Sequence, residues 1–199
     1  MSRSGLRSFV GLLFLVPTAA VALSGAALAQ PAADASGGVR DTSLVDQTGA
    51  RLLRDVVRIH APASAIWRAL TDQATYRRWV APASFIDLRV GGSVEVAFDP
   101  AGKAGDPGNL KQMITAYVPE RLLVFRNVSN PGVPGGAAYG DLAIVLQIDP
   151  SADGTTEVSL SQVGYGQGKD FDALYAFFSQ HNPDYLRSLK AFVETTDGR

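Results

Sequence analysis

The segment Asn182–Thr196, NPDYLRSLKAFVETT, constrains the fold of this chain more than any other stretch. Tyr185, Leu186, Leu189, Phe192 and Val193 recur at helical spacing and gather on one side, while Arg187, Lys190 and Glu194 take the other. Asn182 can cap, Pro183 suits the first helical position, and Asp184 complements the positive end of the helix dipole. The pattern therefore predicts a helix that starts here. Five such side chains, each stabilising by roughly 1.5–3 kcal/mol when buried, outweigh what intrinsic helix propensity supplies. The helix needs an apolar surface to lie on, and the preceding chain has to provide it.

The first 29 residues read as something other than fold. Arg3 and Arg7 form a short basic region, Phe9–Leu23 is a nearly unbroken apolar run, and Ala27-Leu28-Ala29 matches a small-x-small cleavage site. The run is short for a membrane span and is interrupted by Pro17, so a cleaved export signal is expected rather than an anchor. The expected mature chain begins at Gln30 and carries no stable membrane anchor. Its destination is the periplasm of a two-membrane bacterium, or secretion otherwise.

Cleavage removes two arginines and no acid, leaving 16 of the 18 Lys and Arg against 19 Asp and Glu. A mildly acidic chain without a basic cluster is poorly suited to neutralise phosphates, which argues against a nucleic-acid partner. The absence of cysteine excludes disulfides, thiolate catalysis and Cys-bound zinc. About 170 mature residues suit one domain able to bury a core with a cavity in it.

Pro31–Gly49 is small, polar and aperiodic, and residues 30–50 are expected to be a flexible lead-in. From Arg51 the chain reads as a strand ended by Pro62, a short helix at 63–70, and a second around Ala74–Trp79. SFIDLRVGGSVEVAFD then reads as a hairpin. A register opposing Leu88 to Val96, across a three-residue loop or a glycine bulge, keeps Glu95 off the apolar face. Strands follow near Lys111–Val118, Leu122–Val128, Leu142–Ile148 and Thr156–Val163, with Gly/Pro-rich loops at Asp99–Asn109 and Ser129–Gly140. Phe171–Gln180 reads as a separate short helix before the restart at Asn182-Pro183. Residues 51–199 thus form one domain.

This order and its motifs resemble the START-like or SRPBCC superfamily, in the branch of chaperone-ATPase-activator-like proteins and polyketide cyclases. The resemblance is carried by Val56–Pro62, by AIWRALTD from Ala65 to Asp72, and by Trp79. It continues in DLRVGG from Asp87 to Gly92, VPERL from Val118 to Leu122, GTTEV from Gly154 to Val158, and the ending FFSQHNPDYLRSLKAFVE. It implies an α+β helix-grip fold, in which about six or seven antiparallel strands curve around a long C-terminal helix and leave a cavity. An export signal departs from the branch pattern and sets the chain apart from a cytosolic chaperone partner.

Organised chemistry is sparse. His60 and His181 are the only histidines, and no His-Glu-x-x-His or Gly-x-Ser-x-Gly pattern occurs. Gly164–Lys169 resembles a phosphate loop only superficially, because the spacing is wrong and Asp170 stands where Ser or Thr should follow. No catalytic residue, metal site or cofactor is therefore assigned. The aromatic side chains say more: Trp79, Phe98, Phe125, Tyr165, Phe178 and Tyr185 are the candidate ligand-binding residues, with the two tyrosines offering orienting hydroxyls. The expected activity is binding of a small hydrophobic molecule: a lipid, a polyketide-like compound or an aromatic. The alternatives are a cyclase- or dehydratase-type enzyme using His181, Glu95 or Tyr165, and a protein-interaction module. Oligomeric state is not encoded in any pattern of this sequence.

Overall fold

The computed structural model describes residues 38–196. The expected export signal, residues 1–29, and the first part of the lead-in lie outside the described residues.

Among the described residues, nine strands form one antiparallel sheet, accompanied by three α-helices. The strands are β1 (Val39–Asp41), β2 (Leu44–Val45), β3 (Arg51–Ile59), β4 (Ala83–Ile86), β5 (Ser93–Ala97), β6 (Leu110–Val118), β7 (Leu122–Ser129), β8 (Ala143–Pro150) and β9 (Thr156–Tyr165). The helices are α1 (Ala63–Thr71), α2 (Gln73–Tyr76) and α3 (Lys169–Thr196). The sheet runs β1-β3-β9-β8-β7-β6-β5-β4, with β2 also on β3, so the first long strand closes against the last. A curved sheet and one long helix make this the expected helix-grip architecture.

Cross-strand registers show which side chains share the face turned to α3. Asp55, Leu160, Leu146 and Leu123 form one row, and Gln162, Ile144, Phe125 and Ile114 the next. All but Ile144 are buried. Against these rows α3 lays Leu174, Leu186, Leu189 and Val193, each with no exposed surface. The contacts separate into two clusters. The larger unites α1 and the middle of the sheet with Leu186, Leu189 and Val193; the smaller gathers Leu53, Tyr139, Leu142, Tyr165 and Leu174. Arg51 fastens the second cluster, lying over the rings of Tyr165 and Tyr175 at 5.5 and 5.3 Å and pairing with Asp172 at 2.7 Å.

Three expectations are corrected. The lead-in is ordered from residue 38 onward: β1 and β2 pair with β3, Val39 is buried, and Asp46 accepts from the backbone of Thr48 and Ala50. These two short strands bring the count to nine, against the six or seven expected. The β4–β5 hairpin opposes Ile86 to Val94 and Phe85 to Glu95, not Leu88 to Val96. Glu95 does stay off the inner face. Leu88 and Val90 leave the ladder because the intervening loop folds back: the Asp87 backbone donates to Ser93, and Gly91 and Gly92 exchange backbone bonds with Ile114 of β6. Only glycine fits at 92, where a Cβ would lie 2.1 Å from the Asp87 carbonyl oxygen.

The third correction concerns α3. It is a single helix of 28 residues, about 42 Å long at 1.5 Å per residue, with Pro183 inside it. Proline removes one backbone donor, here the one that would reach the carbonyl of Ser179. Ser179 is exposed, so solvent can satisfy that carbonyl and the helix continues. Apolar burial on both sides of the proline outweighs the lost bond.

Candidate functional site

Between the two core clusters the sheet and α3 stand apart, enclosing a cavity of about 420 Å³. Its floor is the inner face of the sheet: Val96 of β5, Leu110 and Gln112 of β6, Phe125 of β7, Ile144 and Leu146 of β8, Leu160 and Gln162 of β9. Its roof is the middle of α3, from Phe177 and Phe178 through His181 and Asn182 to Tyr185. Tyr76 and Val80 close one side, while Phe98, Asn130, Gly132 and Val133 surround the opening. This volume and mostly apolar wall suit a small organic molecule.

Four of the six aromatic candidates line this space: Phe98, Phe125, Phe178 and Tyr185. Phe98 is 72% exposed and stands at the mouth. Trp79 and Tyr165 do not line the cavity; they brace it. The Trp79 indole donates to the Ala69 carbonyl at 2.9 Å and packs on Tyr76 and Tyr185 at centroid distances of 5.5 and 5.0 Å. Tyr165 lies in the second core cluster and donates its hydroxyl to Oε1 of Gln162 at 2.8 Å.

The tyrosines of the wall are held neutral. Burial pushes the Tyr76 hydroxyl up to about 12 and Tyr185 well above its ordinary value, and the two hydroxyls share a hydrogen bond. Behind the wall, burial raises Tyr165 as well. None of the three is poised to give up a proton near neutral pH.

The acid–base candidates separate cleanly. Glu95 faces away from the cavity, where it accepts from the Gly105 backbone at 2.8 Å and Asn109 Nδ2 at 3.1 Å, pinning the loop 99–109. That loop contributes no residue to the cavity wall. His60 lies outside the cavity, its backbone donating to Glu194. His181 alone of these candidates reaches the cavity, at the mouth, with its ring stacked on Phe177 at 4.0 Å and Nδ1 2.7 Å from the Phe177 carbonyl oxygen. Among the described residues no group of three or more His, Asp or Glu side chains converges to hold a metal ion.

The second Gly/Pro-rich loop, 129–140, does border the cavity. A short 3-10 helix (Gly136–Asp141) carries it to α3, and Gly135 (φ +89°) passes so close that a Cβ would lie 2.6 Å from Leu174 Cγ.

Sequence reasoning missed the amides. Gln112, Asn130, Gln162 and Asn182 all line the cavity. A signal for two of them is present: Gln162 continues the inward alternation Val158, Leu160, and Asn182 continues the helical stripe Leu174, Phe178. A polar residue in a core row marks a special environment.

The comparisons agree with this geometry. Residues 60–194 match the family model described as Activator of Hsp90 ATPase homolog 1-like protein. No curated protein sequence matches the chain. Among solved structures, the Aha1 dimer from Colwellia psychrerythraea is similar with a TM-score of 0.59 at 18% identity, covering 74% of this chain and 98% of that one. CalU16 from Micromonospora echinospora, in solution, gives 0.56 at 22% identity, covering 80% and 76%. Protein MLL2253 from Mesorhizobium loti gives 0.55 at 21% identity, covering 72% and 98%. At such identities the structural likeness speaks to the fold. With the family model spanning most of the chain, this protein belongs to the Activator of Hsp90 ATPase homolog 1-like family, within the START-like/SRPBCC superfamily.

Proposed function

We propose that this is an exported, single-domain protein that binds a small hydrophobic molecule in the cavity between its sheet and its C-terminal helix. The observation that carries the reading is the cavity itself, about 420 Å³ of space walled largely by aromatic and aliphatic side chains in the middle of the fold. Export rests on Arg3, Arg7, the apolar run Phe9–Leu23 and the Ala27-Leu28-Ala29 site. An exported chain does not meet a cytosolic chaperone, so the ATPase activation named in the family description is not carried over to it.

The test is uptake of a neutral apolar fluorophore, N-phenyl-1-naphthylamine, together with native mass spectrometry of protein purified from its own host. The expected result is saturable fluorescence that Ile144→Trp, placed to fill the cavity, abolishes, and an adduct mass on the native chain. Uptake unaltered by Ile144→Trp, or none at all, overturns the binding reading. Export is tested by fractionation and N-terminal sequencing, with a mature start at Gln30 expected; an intact Met1 in the cytosol overturns it.

A second reading draws on His181, the one acid–base candidate on the cavity wall. A cyclase- or dehydratase-type reaction would use it to move a proton on a bound substrate. Loss of turnover in His181→Ala with retained fluorophore binding is its expected signature.

A further inference from the structure

Two side chains in the cavity wall carry more polarity than a purely apolar ligand needs. Gln162, on β9, has no exposed surface, and Asn182, on α3, is 5% exposed. Both line the cavity. Neither amide nitrogen, Gln162 Nε2 or Asn182 Nδ2, has a hydrogen-bond partner among the described residues. The Gln162 amide is held by its other end, since Tyr165 donates to Oε1 at 2.8 Å from the core behind it.

Each amide stands where its element would otherwise present a hydrocarbon. On β9 the inward residues run Val158, Leu160, Gln162; on α3 the buried stripe runs from Leu174 through Asn182 to Leu186 and Leu189. An unmet buried donor opposes folding, and filling either position with leucine would remove that cost. Retaining both amide residues, one in the floor and one in the roof of the same space, makes sense if a molecule entering that space accepts from them. The charge of the occupant is also constrained: among the described residues no Lys, Arg, Asp or Glu lines the cavity, and His181 stands at its mouth with Nδ1 on the Phe177 carbonyl. A carboxylate or ammonium group brought among these walls would lose its hydration without a fixed counter-charge.

We infer that the cavity selects a neutral, oxygenated apolar molecule, with a ketone- or ester-type carbonyl accepting from Gln162 Nε2 and Asn182 Nδ2. This deepens the binding proposal and rests on it. The hydrocarbon body lies against Phe125, Ile144, Leu146 and Leu160, and the carbonyl fixes its orientation. A site built to hydrogen-bond an oxygen discriminates strongly against the analogue that lacks it, because its donors are then left unpaired.

The experiment is calorimetric titration of three probes of one shape into the purified protein: 2-acetylnaphthalene, 2-ethylnaphthalene and 2-naphthoate. The expected result is that the ketone binds at least tenfold more tightly than the hydrocarbon and the carboxylate. Gln162→Leu and Asn182→Leu should each bring the ketone towards the level of the hydrocarbon, with near-ultraviolet circular dichroism showing that the variants remain folded. Equal affinities of ketone and hydrocarbon for the unaltered protein overturn the inference and leave the binding proposal standing. Tightest binding of the carboxylate also overturns it. Binding of none of the three overturns both. Should a leucine variant not fold, the three-probe comparison on the unaltered protein still decides.

Discussion

The hydroxyl of Tyr165 reaches Oε1 of Gln162 across three residues of the same strand, 2.8 Å away, linking the smaller core cluster to the floor of the cavity. Tyr165 thus acts on the site without lining it. Tyr165→Phe removes the donor and leaves a buried amide oxygen unpaired, at a cost of about 1–3 kcal/mol. Denaturant unfolding should show that loss in the midpoint with an unchanged slope. Ketone affinity should also fall, as the Gln162 amide becomes able to turn.

Asp55 supplies a pH dependence. It is 3% exposed on the inner face of β3, and one of its carboxylate oxygens lacks a partner among the described residues. Burial together with nearby Asp41 pushes its pKa up to about 6; Arg187 acts in the opposite sense. The folded protein therefore holds this proton more tightly than the unfolded chain. Its contribution to stability is full below the unfolded value near 4 and is lost as pH rises through about 6. Asp55→Asn should stabilise the protein at pH 7.5, by up to about 3 kcal/mol, and make little difference at pH 4. Thermal melts of both proteins across this range check the sign.

Gly135 is a point where the loop bordering the cavity presses on α3. Its φ of +89°, and the 2.6 Å that would separate an added Cβ from Leu174 Cγ, leave no room for alanine. Gly135→Ala should destabilise by about 2 kcal/mol or more and weaken probe binding, because the loop must lift from the helix. An alanine variant with unaltered melting and binding would show that the loop adjusts at no cost.

Pro183 should be dispensable to the helix it interrupts. Pro183→Ala restores the donor towards the Ser179 carbonyl and should stabilise by about 1–3 kcal/mol. Chemical denaturation of the two proteins side by side measures the difference. A loss of stability would show that the proline's own packing matters more than the missing hydrogen bond.

The architecture is legible in the sequence because apolar periodicity encodes it directly. Val158, Leu160 and Gln162 point one way along β9, and Leu186, Leu189 and Val193 lie along one side of α3, whatever surrounds them. The corrections come where tertiary contacts outvote local signals. Asn182-Pro183 has every mark of a helix start, yet the apolar stripes before and after it lie in line and bury together, so the helix runs through. Leu88 and Val90 alternate as a strand should, yet Gly91 and Gly92 are drawn instead to Ile114. The same signal hides part of the site: an Asn182 that caps a helix turns to the backbone, whereas an Asn182 inside one is free to face the cavity. Trp79 and Tyr165 stand out in the sequence for their ring size, but which surface a ring packs against depends on the fold and not on its neighbours in the chain.

The two core clusters meet α3 on either side of Asn182, and what lies between them is space rather than packed side chains. The cavity is therefore also a seam between two blocks that share one helix as their common beam. The turns from Phe177 to Tyr185 lie over this space, and in the free protein their amide hydrogens should exchange with solvent ahead of those around Leu174 and Leu189. A bound molecule acts as mortar in that joint. Occupancy should slow exchange in this middle stretch and bring the two blocks to unfold together, so the state of the pocket can be followed from the backbone alone.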